Sequence, residues 1–312
     1  MTRLRRNLML RGGAGLSGLG VAGAAAYRMA PAFWNQLMAD RERTIVPAAH
    51  RPTPRLWPDE GLHAAWLGHS TVLLKLDGFT LITDPVLFSH VGVDLRFTQI
   101  GMKRLVSAAL TPEELPPLDL ILLSHAHFDH LDTRTLRQLE SKRTEVVMAR
   151  ETSDLIRADQ YKRVTELGWG ETYRVGPLEI RAQEVAHWGA RLRTDTYRGY
   201  NGYVLDTGKR RVLFAGDTAQ TDAFRPVKTS RAIDLAIMPV GAYNPWIHAH
   251  CTPEQALRMG LDTGAAQFLP VHHQTFRLSR EPSREPIERF QEAAMRIGVP
   301  VVLDSIGQQV SL

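Results

Sequence analysis

The feature that most constrains how this chain folds is a six-residue segment, His125-Ala-His-Phe-Asp-His130, which follows the apolar stretch Leu118–Leu123 and Ser124. Three imidazoles and one carboxylate in six positions is a density of metal ligands that neither core packing nor a solvated loop requires. The apolar stretch predicts a buried strand, and the loop after it presents its ligands to two sides. Imidazole suits zinc, and a carboxylate suits a harder cation or a position shared between two ions. One short loop can therefore supply ligands to two adjacent metal ions.

Three further side chains stand at the ends of strand-like stretches. His187, Asp217 and His272 each follow directly on an apolar or alternating run. Binding and catalytic residues often lie in loops at the ends of strands, where the rigid scaffold fixes their positions. Together with the His125–His130 segment, these residues are predicted to complete two metal sites.

Composition and charge limit the classes of protein that this chain can belong to. With 44% hydrophobic and 23% charged residues in 312, the chain is predicted to be globular with a large core. Cys251 is the only cysteine, which excludes an intramolecular disulfide and a cysteine-based zinc site. The net charge is +5, and Arg3, Arg5, Arg6 and Arg11 account for four of those charges. The rest of the chain is nearly neutral, so we predict no nucleic-acid partner.

The N-terminal 30 residues have a character of their own. Gly12–Tyr27 is an uncharged stretch of 16 residues with six glycines and five alanines, which is short and weakly apolar for a spanning helix of about 20 residues. Its basic start and the small residues from Ala22 to Ala26 favour an export signal, and Arg5–Met9 resembles a twin-arginine signature. We therefore predict that residues 1–30 direct the protein to the periplasm or the inner membrane. An uncleaved membrane anchor and a cytoplasmic protein are the alternatives.

The remainder of the chain is predicted to form a connector and one domain. Residues 31–60 contain five prolines and are predicted to form an extended connector. Residues 61–312 contain no linker rich in glycine, serine or proline, so we predict a single domain there.

The body of this domain alternates strands with short helices. Val72–Leu76 and Phe79–Thr83 flank Asp77-Gly78, which predicts a tight hairpin that ends at Asp84. The stretch Tyr203–Asp217 repeats this pattern, and two similar halves predict a sandwich of two mixed sheets with metal ligands along one edge. Helices are predicted from Asp132, which is placed to cap the first of them, to about Ser141, at Pro253–Leu261 and at Pro286–Ile297.

The ligand pattern resembles that of the metallo-β-lactamase superfamily. The matching elements are Ser124–His130, His187, Gly216-Asp217 and the late His272. The resemblance implies an α/β fold of the α+β type, an αββα sandwich of two mixed sheets with helices outside.

Within that superfamily, the chain is similar to the N-acylphosphatidylethanolamine phospholipase D family over roughly residues 62–295. The motifs that carry this similarity are Trp66–Val72, Thr83–Val86, Ala186–Trp188, Phe214–Thr218, Pro239–Pro245, His250–Ala256 and His272–Leu278. One departure is His273-Gln274, where the family usually has Trp-Gly. It leaves open which of His272 and His273 binds metal, and alignment favours His272.

Carried over to this sequence, the resemblance implies two zinc ions per chain. One ion would be bound by His125, His127 and His187. The other would be bound by Asp129, His130 and His272, with Asp217 bridging the two. Such a pair would hold a shared hydroxide that is nucleophilic at neutral pH and would stabilise the charge of the transition state.

Further residues receive roles from the same resemblance. Asp129, Asp217 and His250 are the candidate catalytic residues, with His250 placed for leaving-group protonation or phosphate contact. His69, Asp84 and His273 are expected to support the ligands from behind. The composition of the loops around the metals gives Trp188, Tyr243 and Trp246 as the candidate substrate-binding residues, and Arg191 and Arg193 there suit an anionic head group. The same composition is ordinary in any cleft that binds a ligand.

Three classes of function compete. The first is a zinc phosphodiesterase of phospholipase D type, whose partner is a small-molecule or lipid phosphodiester at a membrane surface. The second is a hydrolase of lactones or amides on the same site. The third is a non-hydrolytic role, either as a di-iron protein or as a metal-bearing binding module. His127 stands where di-iron relatives typically have Glu, which argues against the third class.

Overall fold

The structure of the protein is a computed structural model. It describes Asn35, Met38, Asp40 and residues 42–94, 99–192, 194–229 and 231–312. Ile45–Leu312 forms one compact unit, and Met1–Thr44 is grouped separately. The predicted export signal at residues 1–30 lies outside the described residues. Among the residues that are described, no helix is long and apolar enough to cross a membrane.

Two large mixed sheets make up the compact unit. In spatial order, the seven-stranded sheet comprises β15 (Gln309–Ser311), β1 (Leu62–Gly68), β2 (Thr71–Leu76), β3 (Phe79–Thr83), β6 (Leu120–Leu123), β7 (Glu145–Ala149) and β8 (Arg163–Leu167). The six-stranded sheet comprises β14 (Phe268–Val271), β13 (Leu235–Pro239), β12 (Arg211–Phe214), β11 (Gly202–Asp206), β10 (Leu178–Gln183) and β9 (Thr172–Val175). A separate hairpin joins β4 (His90–Asp94) to β5 (Gln99–Lys103).

Each sheet combines antiparallel hairpins with parallel strands. In the seven-stranded sheet, the pairs from β15 to β3 are antiparallel and those from β3 to β8 are parallel. In the six-stranded sheet, β12, β13 and β14 are parallel and the remaining pairs are antiparallel. The predicted hairpin β2–β3 and its echo β11–β12 therefore lie in different sheets, and each is followed by an aspartate.

Three helices lie among the described residues of the compact unit, namely α1 (Thr133–Gln138), α2 (Pro253–Asp262) and α3 (Glu285–Ile297). The Asp132 carboxylate caps α1 as predicted, by accepting from the backbone N–H groups of Arg134 and Thr135. The helix ends three residues before the predicted Ser141, because Leu139 closes the last turn with a bond to the carbonyl of Leu136. Helix α2 starts with a capping box, and α3 ends at Gly298, whose φ is +70°.

The hydrophobic core lies between the two sheets. Every residue of β1, β3, β6, β7 and β13 is buried, as expected for strands covered on both faces. One cluster of buried side chains joins the sheets, and a second lies between the six-stranded sheet and helices α2 and α3. The predicted αββα sandwich of two mixed sheets is confirmed.

A tight seam joins the sheets beside the predicted ligands. The N–H of Asn201 donates to the carbonyl of Ser124 at 2.9 Å, and the hydroxyl of Tyr203 donates to that of Leu123 at 2.8 Å. Gly216 faces this seam with φ +61°, and a Cβ there would lie 3.1 Å from Cβ of Ser124 and 2.7 Å from the carbonyl oxygen of Asn201. Only glycine fits this position without displacement.

The stretch before β1 is attached to the compact unit. The N–H of Val46 donates to the carbonyl of Leu105 at 2.9 Å, and the N–H of Ser107 donates back to Val46 at 2.8 Å. The compact unit starts at Ile45 and so includes part of the predicted connector at residues 31–60. The division into this connector and a domain at residues 61–312 stays a prediction.

Candidate metal centre

The candidate site lies at one edge of the sandwich, where strands of both sheets end. From the seven-stranded sheet, Asp84 follows β3 and the His125–His130 segment follows β6. From the six-stranded sheet, His187, Asp217 and His272 follow β10, β12 and β14. The structure thus brings together all seven ligands that the resemblance implies.

Three histidines form the first ligand group. Nδ1 of His127 lies 2.8 Å from Nε2 of His125 and 3.3 Å from Nε2 of His187. The three nitrogen atoms therefore face one point, as three imidazole ligands of one ion would.

A second group contains Asp129, His130 and His272 together with His69. Oδ2 of Asp129 lies 3.8 Å from Nε2 of His130 and 3.7 Å from Nε2 of His272. It lies closer, at 3.0 Å, to Nε2 of His69. The predicted supporting residue His69 is therefore in direct contact with a predicted ligand.

Asp217 lies between the two groups. Its Oδ2 is 3.1 Å from Nε2 of both His130 and His272, 3.8 Å from Nε2 of His187 and 4.0 Å from Nε2 of His125. A carboxylate that reaches histidines of both groups is placed to bridge two cations.

Hydrogen bonds on the far side of the rings orient the ligand nitrogens. Nδ1 of His130 donates to Asp84 at 2.6 Å, and Nδ1 of His187 donates to the carbonyl of Ala249 at 2.8 Å. Nδ1 of His125 lies 2.8 Å from the hydroxyl of Ser124, which itself donates to Asp84 at 2.5 Å. A ring that donates through Nδ1 keeps a lone pair on Nε2, so these three rings present Nε2 to a metal.

The donor set fits a metal ion. Nε2 of His130 and Nε2 of His272 lie 3.1 Å from Oδ2 of Asp217 but make no well-aligned hydrogen bond among the described residues, and the buried Oδ1 of Asp217 has no hydrogen-bond partner there. Buried polar atoms are rarely left without a partner, and a cation bound between them would satisfy all three. Imidazole nitrogens and carboxylate oxygens are ligands that zinc accepts.

Burial and charge keep the ligands in the protonation state that metals require. Burial lowers the pKa of His127 to about 3, with a further contribution from His187, so this ring is neutral at pH 7. Burial would raise the pKa of Asp129 and of Asp217, but the surrounding histidines, His130 first, hold both well below the usual value. Neutral imidazoles and ionised carboxylates are the metal-binding forms.

His130 differs from the other rings in the metal-free protein. Burial opposes its protonation, yet Asp217 and Asp129 raise its pKa well above the ordinary histidine value. The two carboxylates therefore favour positive charge at this position, as they would favour a bound cation.

Backbone geometry at the site is unusual. His69, Asp84 and His272 have φ values of +55°, +34° and +65°, in the left-handed region that side chains other than glycine rarely adopt. Such conformations persist where surrounding contacts fix them, and they cluster at functional sites.

A cavity of about 210 Å³ opens onto the two ligand groups. His127, Asp129, Asp217 and His272 form its floor, and its walls are Trp188, Ala242, Trp246, His250 and Leu278. Nδ1 of His250 is buried 3.9 Å from Oδ2 of Asp217, and burial lowers the pKa of this ring to about 3. A neutral imidazole therefore lines this cavity beside Asp217.

Comparison with known proteins agrees with this geometry. The family model of the β-lactamase superfamily domain matches residues 80–273, which is more than half of the chain. The chain belongs to the metallo-β-lactamase superfamily. With its clustered metal-binding side chains, it is a metal-dependent hydrolase of this superfamily.

Relatives of this metallo-β-lactamase domain include an uncharacterized protein of Mycobacterium tuberculosis, 31% identical over 87% of this chain and 74% of that protein. The N-acyl-phosphatidylethanolamine-hydrolyzing phospholipase D 1 of Caenorhabditis elegans is 30% identical over 75% of this chain and 70% of that enzyme. Among solved structures, the metallo hydrolase Igni18 of Ignicoccus hospitalis has a TM-score of 0.62 at 21% identity, covering 81% of this chain and 99% of that chain. The structural likeness concerns the fold alone.

Two residues with predicted roles lie away from the ligands of this metallo-β-lactamase site. The hydroxyl of Tyr243 donates to Glu285 at 2.6 Å and accepts from Arg289 at 3.1 Å, so this side chain is held by helix α3 and does not line the 210 Å³ cavity. Nε2 of His273 donates to the carbonyl of Pro270 at 3.2 Å, and its ring packs against Trp66 with centroids 4.5 Å apart. His272 therefore faces the ligands and His273 faces the core.

Other contributors were not identified from the sequence. Ser124 links Asp84 to His125, and its only sequence signal is a hydroxyl directly before the histidine segment. Ala242 and Leu278 line the cavity but carry no chemical signature. Arg191, which suited an anionic head group, is directed instead at the ligand segment, and Arg193 lies outside the described residues.

Proposed function

We propose that this protein is a binuclear zinc phosphodiesterase of the N-acylphosphatidylethanolamine phospholipase D type, acting on a lipid or another amphipathic phosphodiester. The observation that carries the proposal is the division of seven donors into two groups that share Asp217. The relative from C. elegans, which is named for hydrolysis of such a lipid, supports the substrate class.

The composition of the donor set supports zinc. Five of the seven proposed ligands are histidines and two are aspartates, a set that suits zinc better than a harder cation such as magnesium. Two zinc ions bound here would supply an activated water at neutral pH and Lewis acidity toward a phosphoryl oxygen. Asp217 would hold both ions at a fixed separation, and Asp129 would be kept in place by its hydrogen bond from His69.

His250 is the proposed contact to the reacting group. It lines the cavity beside Asp217, and its lowered pKa keeps it neutral at pH 7. A neutral imidazole carries one N–H, which can donate a hydrogen bond to a phosphoryl oxygen or to the departing oxygen. We therefore propose that His250 assists leaving-group departure and is not a metal ligand.

The space around the site supports a substrate with two dissimilar arms. The 210 Å³ cavity lies between Trp188 and Trp246, which are 42% and 45% exposed and offer apolar surface. A second cavity of about 430 Å³ adjoins it at Ala242, His272 and Leu278. The larger cavity has a polar lining that includes Gln274, Arg277, Ser279, Arg280 and Ser283. An apolar arm in the first cavity and a polar arm in the second would place the phosphorus over the metals.

A hydrolase of lactones or amides is the second candidate. The 210 Å³ cavity is smaller than the about 300–1,000 Å³ typical of pockets for drug-sized ligands, so on its own it would suit a small ester or amide. The same donors would stabilise a tetrahedral transition state at carbon.

Parallel assays separate these functions. Zinc-loaded protein is offered bis(p-nitrophenyl) phosphate, N-acylated and unmodified phosphatidylethanolamine in mixed micelles, and a panel of lactones and amides. We expect cleavage of the diesters, lost on chelation and restored by zinc. Turnover of lactones or amides alone would contradict the phosphodiesterase, and two equivalents of iron with a visible absorbance band in the purified protein would contradict the zinc enzyme.

We further propose that the enzyme works at a membrane surface outside the cytoplasm. The basis is the sequence of residues 1–30 and the partly exposed apolar side chains Trp188, Trp246 and Ile247. Fractionation of cells producing the full-length protein should place it in the periplasm or with the membrane. Recovery wholly from the cytosol, with an intact N-terminus, would contradict this location.

A further inference from the structure

The loop after β10 carries a second functional group besides the ligand His187. Arg191 stands four residues later, and its Nη1 donates to the carbonyls of Ala126 and Leu131, both at 2.8 Å. Both carbonyls belong to buried residues of the ligand segment after β6. Buried carbonyls require a donor, and here one guanidinium group supplies it to two of them.

These two carbonyls bracket the ligands. His127, Asp129 and His130 all lie between Ala126 and Leu131 in the sequence. The guanidinium of Arg191 also stacks over the ring of Phe128, 4.0 Å from its centroid. The Arg191 side chain therefore contacts the start, the middle and the end of Ala126–Leu131, which contains three of the seven proposed ligands.

The segment itself has little regular structure to hold its shape. It contains no helix or strand, and the N–H groups of His130 and Leu131 both donate to the carbonyl of His127, at 3.1 and 2.8 Å. Contacts from outside must therefore contribute to its conformation. The planar guanidinium suits this task, since its donors have a fixed geometry and its face can stack at the same time.

Arg191 is itself held close to the segment. The ring of Trp188 stacks on His187 and meets His127 edge-on, with centroids 4.7 and 4.9 Å away. At Gly189, a Cβ would lie 2.2 Å from the carbonyl oxygen of Arg198, so the backbone there is packed without space for a side chain. Burial lowers the pKa of Arg191 to about 10, which leaves the group protonated at neutral pH.

We infer that Arg191 is a positioning residue that fixes the ligand segment in its metal-binding conformation before the metal binds. It connects the loop that carries His187 to the segment that carries the His127–His130 ligands. The ligands of these two loops therefore have fixed positions relative to each other. The inference rests on the metal centre of the proposed function and is independent of the substrate.

Three variants test this inference in the full-length protein. Arg191→Met removes the donors and keeps an unbranched side chain. Arg191→Lys keeps the charge but cannot reach both carbonyls and stack on Phe128. Arg198→Met is the matched control, because Arg198 is in the same loop but pairs with Asp154 and Asp195, away from the ligand segment.

The readouts are metal affinity, spectroscopy and hydrogen exchange. Zinc affinity is measured by competition with a chelator, the visible spectrum is recorded after cobalt substitution, and exchange at the amides of His130 and Leu131 is followed in metal-free protein. We expect Arg191→Met to bind zinc about 10–100-fold more weakly, to alter the cobalt spectrum and to speed exchange at both amides. Arg191→Lys should give an intermediate result. Arg198→Met, which leaves Asp154 and Asp195 without their partner, should unfold more readily but bind zinc as tightly as the parent protein.

Unchanged zinc affinity and unchanged exchange in Arg191→Met would overturn the inference. Equal losses in Arg198→Met would do so as well, since they would assign the effect to general folding of the loop. None of these measurements uses a substrate, so a failure of the proposed phosphodiesterase activity would leave them interpretable.

Discussion

The two sheets contribute to the metal centre in different ways. The seven-stranded sheet supplies the His125–His130 segment, a contiguous block of ligands after β6. It also supplies Asp84, which follows the adjacent strand β3. The six-stranded sheet supplies isolated residues, one each after β10, β12 and β14. The block is supported by the side chains of Asp84 and Ser124, whereas the isolated ligand His187 is supported by a backbone carbonyl, that of Ala249. Mutations in the contiguous block and mutations of the isolated ligands should therefore differ in their effects on metal binding.

We expect the largest loss of activity from mutation of Asp217, the residue that contacts both ligand groups. Asp217→Ala removes the proposed bridge, so we expect kcat/KM to fall by at least about 100–1,000-fold, with metal content reduced and the fold retained. Activity, zinc content and circular dichroism measure this. Asp222→Ala, at an exposed aspartate that pairs with Arg225, is the control and should behave as the parent. Full activity in Asp217→Ala would defeat the proposed mechanism.

The next effect separates two adjacent histidines after β14. His272→Ala should lose about one equivalent of zinc, because Nε2 of His272 faces Asp217 and Asp129. His273→Ala should keep both equivalents and instead destabilise the fold by about 1–3 kcal/mol, since its ring packs on Trp66 in the core. Metal analysis and thermal unfolding distinguish the two, and the opposite pattern in metal content would place the ligand at residue 273.

A smaller effect tests the support behind the contiguous block. Asp84→Asn keeps the size of the side chain but weakens its bonds to His130 and Ser124, so we expect a loss of about 10–100-fold in zinc affinity or activity. Ser124→Ala should cost less, because the Asp84–His130 bond survives. If Asp84→Asn binds zinc as tightly as the parent, the block does not depend on this support.

The smallest effect is expected from the N-terminal segment. A chain that begins at residue 31 should be soluble and should retain its zinc and its activity on soluble diesters, because the proposed ligands all lie between residues 125 and 272. Loss of metal or activity on truncation would show that residues 1–30 contribute to the folded enzyme.

The same contrast explains what the sequence alone could predict. The contiguous block is visible without a structure, because its density of ligands has no other explanation. The isolated ligands could be assigned by their positions at strand ends and by resemblance to a family. The hairpin Val72–Thr83 and its echo were predictable because a period of two and an Asp-Gly turn are local signals.

Other features depend on contacts between distant parts of the chain. Arg191 was predicted to face substrate, but nothing local shows that buried carbonyls 60 and 65 residues away would need its donors. Tyr243 lies near the site in sequence, yet Glu285 and Arg289 on α3 hold its hydroxyl elsewhere. A side chain's direction is decided by its tertiary partners, and pattern analysis does not include them.

The seam at Gly216 has a consequence for the whole centre. Its missing side chain allows the backbone before Asp217 to approach Ser124, the residue before the contiguous block. A single hydrogen atom therefore separates the two halves of the candidate metal centre at this point. The distance between two bound cations would thus depend on how closely the two sheets pack against each other. A single methyl group at residue 216 would act as a wedge, changing the distance between ligands while leaving every ligand in the sequence.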